Sequence, residues 1–461
     1  MTTVSEAIAK HVTAARYESL PADVALFTKR FVLDTLAVAW AGADAPGAPP
    51  IRELVRKEGG TAVSTLWVFG GRLPASAAAF LNGMAAAALD YDSVYEAGSV
   101  HPDIVTVPAA FAVAERQHLS GREFLTAVAL GNDLMCRLGK ATAMNTGWFY
   151  TSLYGVFGAA VAAAQLLKLD EGGVRDAIGL AFSHTSGTQQ ALIEKTMAKR
   201  LQSAFAARNG VFCALLAAAG ARAPAEAFEG KFGFYVKYDA GDPGVLLADL
   251  GARFEHVATA VKKYPSCTAN HPAVEGALAL AREFDLKPDD IAGVEVVLSP
   301  FSHQLVGAPY DPGANPQVAA QFSIQYSLAS ALLRRRLAIA DIQPEAALDP
   351  KARAFAAKVA VRVDESNKGK FAPAEIAVQT TTHGTLKRRI AHVPGTPQSP
   401  ISEAELHAKV RDCVAAAATP MSAAAADRLI ERVMTIEKVA DMATFFDGVA
   451  GESRTAARKV G

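Results

Sequence analysis

Net charge is the first thing this sequence lacks: 46 Lys and Arg balance 46 Asp and Glu, and charged side chains are only 20% of 461 residues. That balance removes any general electrostatic pull toward nucleic acid or an anionic membrane surface. Cysteine is scarce as well. Cys136, Cys213, Cys267 and Cys413 lie far apart with no CxxC pair, which excludes a disulfide scaffold or zinc framework and suits reduced thiols. The N-terminal MTTVSEAIAKHV carries Glu6 early and has no basic start before an apolar run, so it does not read as a secretory signal. The longest charge-free stretch, Ala141 to Leu167, exceeds the roughly 20 residues that span a bilayer. It is interrupted by Asn145, Thr146, Gly147, Thr151, Ser152 and Gly155, and its second half is mostly alanine, so a loop and then a buried helix are expected. The expectation is a cytoplasmic protein with no membrane or nucleic-acid partner.

Familiar motifs are missing too. There is no P-loop, no GxSxG, no HExxH and no EF-hand loop. Gly155-Val-Phe-Gly158 has the look of a dinucleotide loop, but no alternating strand precedes it, and close helix packing at small residues accounts for it better.

What is abundant is hydrophobic side chain, at 51%, enough for a large buried core. The first 260 or so residues read as helix after helix. In Asp23 to Gly42, Phe27, Phe31 and Thr35 share one stripe, and Arg30 with Asp34 is spaced as an i,i+4 pair. Ser64 to Leu73 is the exception, a short hairpin around Gly70-Gly71. After Lys262 the period changes: Val294, Val296 and Leu298 alternate, as do Val359, Val361 and Val363, then Ile376 and Val378. A turn at His383-Gly384 leads to Leu386, Arg388 and Ile390, while Gln317 to Arg336 has a helical pattern. Past Pro394, Gly395, Pro397 and Pro400 the chain returns to helix, over Ser402 to Ala418 and Ala423 to Lys438. The fold class expected is mainly α: a large all-helical domain over 1–262 and 397–461, with a smaller α+β domain inserted at 263–396.

The densest polar segment is LDYDSVYEAGSVHPDIVTVP, in which Asp90, Asp92, Glu96, His101 and Asp103 interrupt an otherwise apolar chain. A His among carboxylates is a general acid/base candidate because its free pKa lies near 6.5; the same composition also fits a solvated loop. A metal reading of Asp90, Asp92 and His101 has no second His or Cys cluster behind it, and none is assigned. Lys199, in MAKRLQSAFAARNGVF, and Lys262, before Tyr264, Cys267 and His271, are cations in apolar surroundings. They suit either a carboxylate clamp or snorkelling surface residues. Tyr326 lies in AQFSIQYSLASALL.

Together and in order, these segments resemble the MmgE/PrpD family, which includes 2-methylcitrate dehydratase, cis-aconitate decarboxylase and iminodisuccinate epimerase. The resemblance rests on AFLNGMAAAALDYDS, HPDIVTVPAAFAVAE, TSLYGVFGAAVAAAQLLKLD, AKRLQSAFAARNGV, FEGKFGF, KKYPSCTANHPAVEGAL, AQFSIQYSLA and PGTPQSPISEAELHAKV. It implies that the inserted domain is a lid, that the protein is a homodimer, and that it uses no metal or organic cofactor. By position it makes His101 and Asp90 an acid/base pair, with Asp90 orienting the ring and Tyr326 a proton donor. Lys199, Lys262 and His271 become substrate-binding groups, and the Lys262 to His271 segment is expected where the helical body meets the lid, with Tyr326 on the lid side, so that the site forms only when the two meet. Some positions depart from the family pattern. Ala87, Ser93 and Val94 replace a His, an Asp and a Thr, and Phe149 and Gln202 each replace a His. These losses point away from a tricarboxylate and toward a smaller or more apolar acid. The activity implied is that of a cofactor-independent lyase, dehydratase-type first, removing a proton next to a carboxylate of a small hydroxy- or amino-carboxylic acid. Epimerisation or decarboxylation remains open, as does a helical ligand-binding protein without catalysis.

Overall fold

The protein is described from a computed structural model covering residues 2–143, 147–369 and 372–449. Asn145 and Thr146 of the charge-free stretch, and the end of the 397–461 segment, lie outside the described residues. The chain forms two compact units: one holds Met1–Ala88, Asp92–Thr259 and Leu406–Gly461, the other Leu89–Tyr91 and Ala260–Glu405.

The first unit is helical. Its helices start where side chains can satisfy the first free N–H groups. Thr3 and Glu6 close a capping box before Val4–Ala14, Ser120 and Glu123 another before Gly121–Ala141, and Ser422 caps Ala423–Met434. Tyr150–Leu166 is apolar on every side, and all but Gln165 of it is buried, as an all-round apolar helix must be. It packs between Gly121–Ala141 and Ala198–Ala218. Gly158 explains how closely: a Cβ there would stand 2.7 Å from the Gly131 carbonyl and 2.6 Å from Met135. The GVFG segment is therefore helix-packing surface. In Ala22–Gly42 the buried face carries Phe31, Thr35 and Asp34, and Asp34 is joined by Lys409 at 2.5 Å. Phe445 and Phe446 close this core, with Phe111 in contact with Phe124, Phe445 and Phe446 at ring separations of 5.2–5.4 Å. Ser64–Thr65 (β1) and Arg72–Leu73 (β2) form the short antiparallel hairpin. Among the described residues one helix, Ala198–Ala218, is long and apolar enough to cross a membrane, and half of it is buried in this unit.

The second unit is α+β. Its sheet is ordered β4-β3-β5-β6, from Ile291–Leu298 (β3), Val359–Val363 (β4), Ala374–Thr380 (β5) and Gly384–Ile390 (β6). β3 and β4 are parallel, with Val294 opposite Val359, so a crossover of short helices must join them. β3–β5 and β5–β6 are antiparallel, and the helix His271–Glu283 packs on β5 and β6. Val294, Val296 and Leu298 are buried together, as their alternation requires. The single helix expected over Gln317 to Arg336 is two, Pro316–Gln321 and Ile324–Arg334, because Ser323 breaks it and caps the second through the Tyr326 N–H at 3.2 Å.

Candidate active site

In the helical unit the chain from Asp92 to Pro102 is a loop tied at both ends. Tyr95 and Val100 exchange backbone hydrogen bonds at 2.8 and 3.3 Å around a turn. Gly98 in that turn lies flat on the helix Gly121–Ala141, where a Cβ on Gly139 would come within 2.4 Å of the Gly98 Cα. His101 follows, its N–H donating to Thr151 Oγ1 at 3.1 Å. Its Nδ1 lies 2.9 Å from the Ser93 carbonyl and 2.7 Å from Asp92 Oδ2. Both neighbours are acceptors, so Nδ1 carries the proton and Nε2 is the basic nitrogen. The ring is 15% exposed and the Asp92 side chain 1%, the arrangement in which a carboxylate stabilises an imidazolium as it forms.

A buried network backs this loop. The Ser93 hydroxyl donates to Asp103, which also accepts from Asn132 Nδ2 at 2.5 Å, and Thr106 donates to Asn132. Ser93, one of the departures from the family pattern, thus fastens the stretch whose carbonyl holds His101. Burial pushes the Asp103 carboxyl up to about 7, against the pull of its Ser93 and Asn132 donors. The folded state then holds this proton more tightly than the unfolded chain, whose aspartate titrates near 4. Stability from this group is therefore lost as pH rises from about 4 to about 7. In Asp103→Asn that slope should disappear. Urea midpoints compared at pH 5 and pH 7 check this, and an unchanged slope would refute it.

A second cluster in the same unit surrounds Lys199, near the start of the helix Ala198–Ala218. The half-buried Lys199 ammonium stands 6.0 Å from the centre of the Phe149 ring. Phe149 precedes the first turn of Tyr150–Leu166 and donates its N–H to the Gly187 carbonyl at 3.0 Å, while Gln202 Nε2 donates to the Thr188 carbonyl at 3.2 Å. Two of the positions that depart from the family pattern therefore gather beside one cation.

The second unit holds the other expected site residues. Asp90 was expected to orient His101. That place at Nδ1 is taken by Asp92 and Ser93, and Asp90 is engaged by Lys262, whose ammonium donates to Asp90 Oδ2 at 2.8 Å and to its carbonyl at 2.7 Å. Lys262 was expected to clamp substrate, yet it is 2% exposed and this pair is buried. Tyr326 was expected to donate a proton, but it is fully buried; its hydroxyl donates to the Asp341 carbonyl and accepts from Arg334 at 3.2 Å. Burial raises its phenol above the usual range, against Arg334. His271 is also fully buried, with Nε2 3.3 Å from the Ser266 carbonyl and its ring edge-on to Tyr264 at 5.2 Å. Sequence reasoning took Ser93 only as a departure and Thr151 only as an interruption of an apolar stretch, and it passed over Asn132. Asn132, a lone amide inside the apolar run LGNDLMC, was the one signal available.

The MmgE/PrpD N-terminal domain matches residues 6–244 and the MmgE/PrpD C-terminal domain residues 264–436. The chain belongs to the MmgE/PrpD family. A cis-aconitate decarboxylase-like protein, oryM, of Aspergillus oryzae is 27% identical over 97% of this chain and 98% of its own. Cis-aconitate decarboxylase of Aspergillus terreus is 28% identical over 70% of each. The human cis-aconitate decarboxylase is 25% identical over 98% of this chain and 95% of its own. By name these relatives are cis-aconitate decarboxylases or a protein like them, which supports an enzyme here.

Proposed function

We propose that this protein is a cofactor-independent lyase that decarboxylates a small carboxylic acid, with His101 moving the proton. The observation that carries the reading is the pinned Nδ1–H of His101, which leaves Nε2 to exchange a proton with substrate. In the reaction the bond from carbon to the departing carboxylate breaks and CO2 leaves. The electron pair left on carbon is taken up by the proton of the His101 imidazolium. Asp92 stabilises that imidazolium, and Lys199 faces a second, retained carboxylate, lowering the cost of the developing negative charge. The decarboxylases among the relatives favour this reaction over the dehydration suggested by the sequence. Phe149 and Gln202 supply less charge than histidines would, so the preferred substrate is a dicarboxylate with an apolar portion. We place the enzyme in a reducing, cytoplasmic setting, in keeping with its four buried free thiols.

The test is a panel of unsaturated and hydroxylated di- and tricarboxylates, followed both by CO2 release and by the ultraviolet absorbance of a new conjugated double bond. CO2 release, faster with dicarboxylates, is expected. A new double bond without CO2 would replace decarboxylation with dehydration, and no turnover of any acid would leave a binding protein. Activity is also expected to survive exhaustive EDTA treatment, since the family resemblance implies no metal; a loss restored by a divalent ion would contradict this.

A further inference from the structure

The loop that presents His101 has a second fastening, away from the ring. Tyr95 is buried, and its hydroxyl donates to Glu255 Oε2 at 2.9 Å. Burial holds the phenol above its usual range, so it stays a donor. The acceptor is itself fixed. Glu255 Oε1 receives Lys140 at 2.9 Å and Arg253 at 2.7 Å, and the Glu255 N–H donates to Asp133 Oδ1 at 2.5 Å. Asp133 also holds the Arg137 guanidinium at 2.6 Å, which donates to the carbonyls of Leu246, Ala248 and Arg253. Burial works against the charge on Glu255, yet Lys140, Tyr95 and Arg253 hold its carboxyl below the usual range. A charged acceptor strengthens the bond it receives. The loop is thereby pinned at two points, Ser93 to Asp103 and Tyr95 to Glu255. Because Tyr95 and Val100 exchange backbone hydrogen bonds, the second anchor also reaches the residue before His101.

We infer that Tyr95 and Glu255 are positioning residues for His101, holding the loop so that Asp92 and Ser93 stay against Nδ1 and the ring keeps one tautomer. Neither acts on substrate. The consequence for turnover rests on the reading of His101 as the group that moves the proton; the fixed tautomer does not.

Nitrogen-15 NMR of the full chain labelled at histidine reads the tautomer directly, through the coupling of each ring nitrogen to its neighbouring protons, with His101→Gln assigning the signals. At about pH 8.5, where an ordinary imidazole is neutral, wild-type His101 should show only the Nδ1–H form. Tyr95→Phe keeps the ring and removes the donor. It should give a mixture of tautomers and, on a proven substrate, a kcat lowered by up to about 10²-fold with KM unchanged, as for a misplaced group. Glu255→Gln keeps an oxygen for Tyr95 but loses the charge paired with Lys140 and Arg253. It should lower the urea midpoint and leave the tautomer alone, whereas Glu255→Leu should disturb both. A pure Nδ1–H form in Tyr95→Phe overturns the inference whatever the turnover, and so does a wild type protonated at Nε2. A mixed tautomer with unchanged turnover upholds the tether and removes His101 from the reaction instead. If Tyr95→Phe does not fold, Glu255→Leu set against Glu255→Gln decides: the same pure Nδ1–H form in both overturns the inference.

Discussion

Replacing His101 with Ala lowers turnover by roughly 10²–10⁴-fold, the range for loss of a general acid/base, and leaves folding stability nearly unchanged. The loop does not depend on the imidazole for its shape. The Tyr95–Val100 backbone pair, the Gly98 contact and the Ser93–Asp103 bond all survive the substitution. Asp92→Asn should approach the same loss, because an amide beside Nδ1 can donate as well as accept and so permits the tautomer with its proton on Nε2. Asp90→Asn should instead act on stability through Lys262. Turnover on a proven substrate, measured for the three variants beside their urea midpoints, separates the roles. If His101→Ala keeps full turnover, the proton-transfer assignment fails and His101 is a loop residue. If Asp90→Asn loses turnover and Asp92→Asn does not, the original pairing of Asp90 with His101 returns.

The second large effect is on stability. Lys262→Met should destabilise the protein by about 3–5 kcal/mol, the cost of stripping one partner from a buried pair. Both side chains are almost fully withdrawn from water, so the Asp90 carboxylate would lose this cation with little water to take its place. Lys262→Met combined with Asp90→Asn removes both charges and should recover much of the loss. Asparagine suits this position because Asp90 has a left-handed backbone, φ 51. A substrate clamp would behave otherwise, with a raised KM and an unchanged unfolding midpoint. That outcome would restore Lys262 to the binding residues.

Much of this was legible along the chain, for a physical reason particular to each case. Val294, Val296 and Leu298 announce a strand because a period of two puts them on one buried face. Gly158 announces close helix packing because it stands in an otherwise apolar, alanine-rich run. His101 stood out as a titratable group among carboxylates, and Lys199 as a cation at the start of an apolar helix. The break at Ser323 was present in the sequence as a capping residue, but the apolar period on both sides concealed it.

The division of labour at the site is where sequence reasoning stopped. Residue order alone determined that the protein is mainly helical with an α+β segment, that it carries the MmgE/PrpD pattern, and that the Asp90 to Asp103 loop concentrates its polar groups. Those are properties of period, composition and local spacing. Only the tertiary structure decided which carboxylate serves His101. Asp90 and Asp92 are two residues apart and chemically identical, and spacing cannot rank them. Asp90 turns through a left-handed conformation to meet Lys262, 172 residues away, while Asp92 stays with the loop that holds His101. Backbone direction at a single residue assigns one aspartate to an ion pair and the other to the histidine, and that direction is set by packing between distant segments.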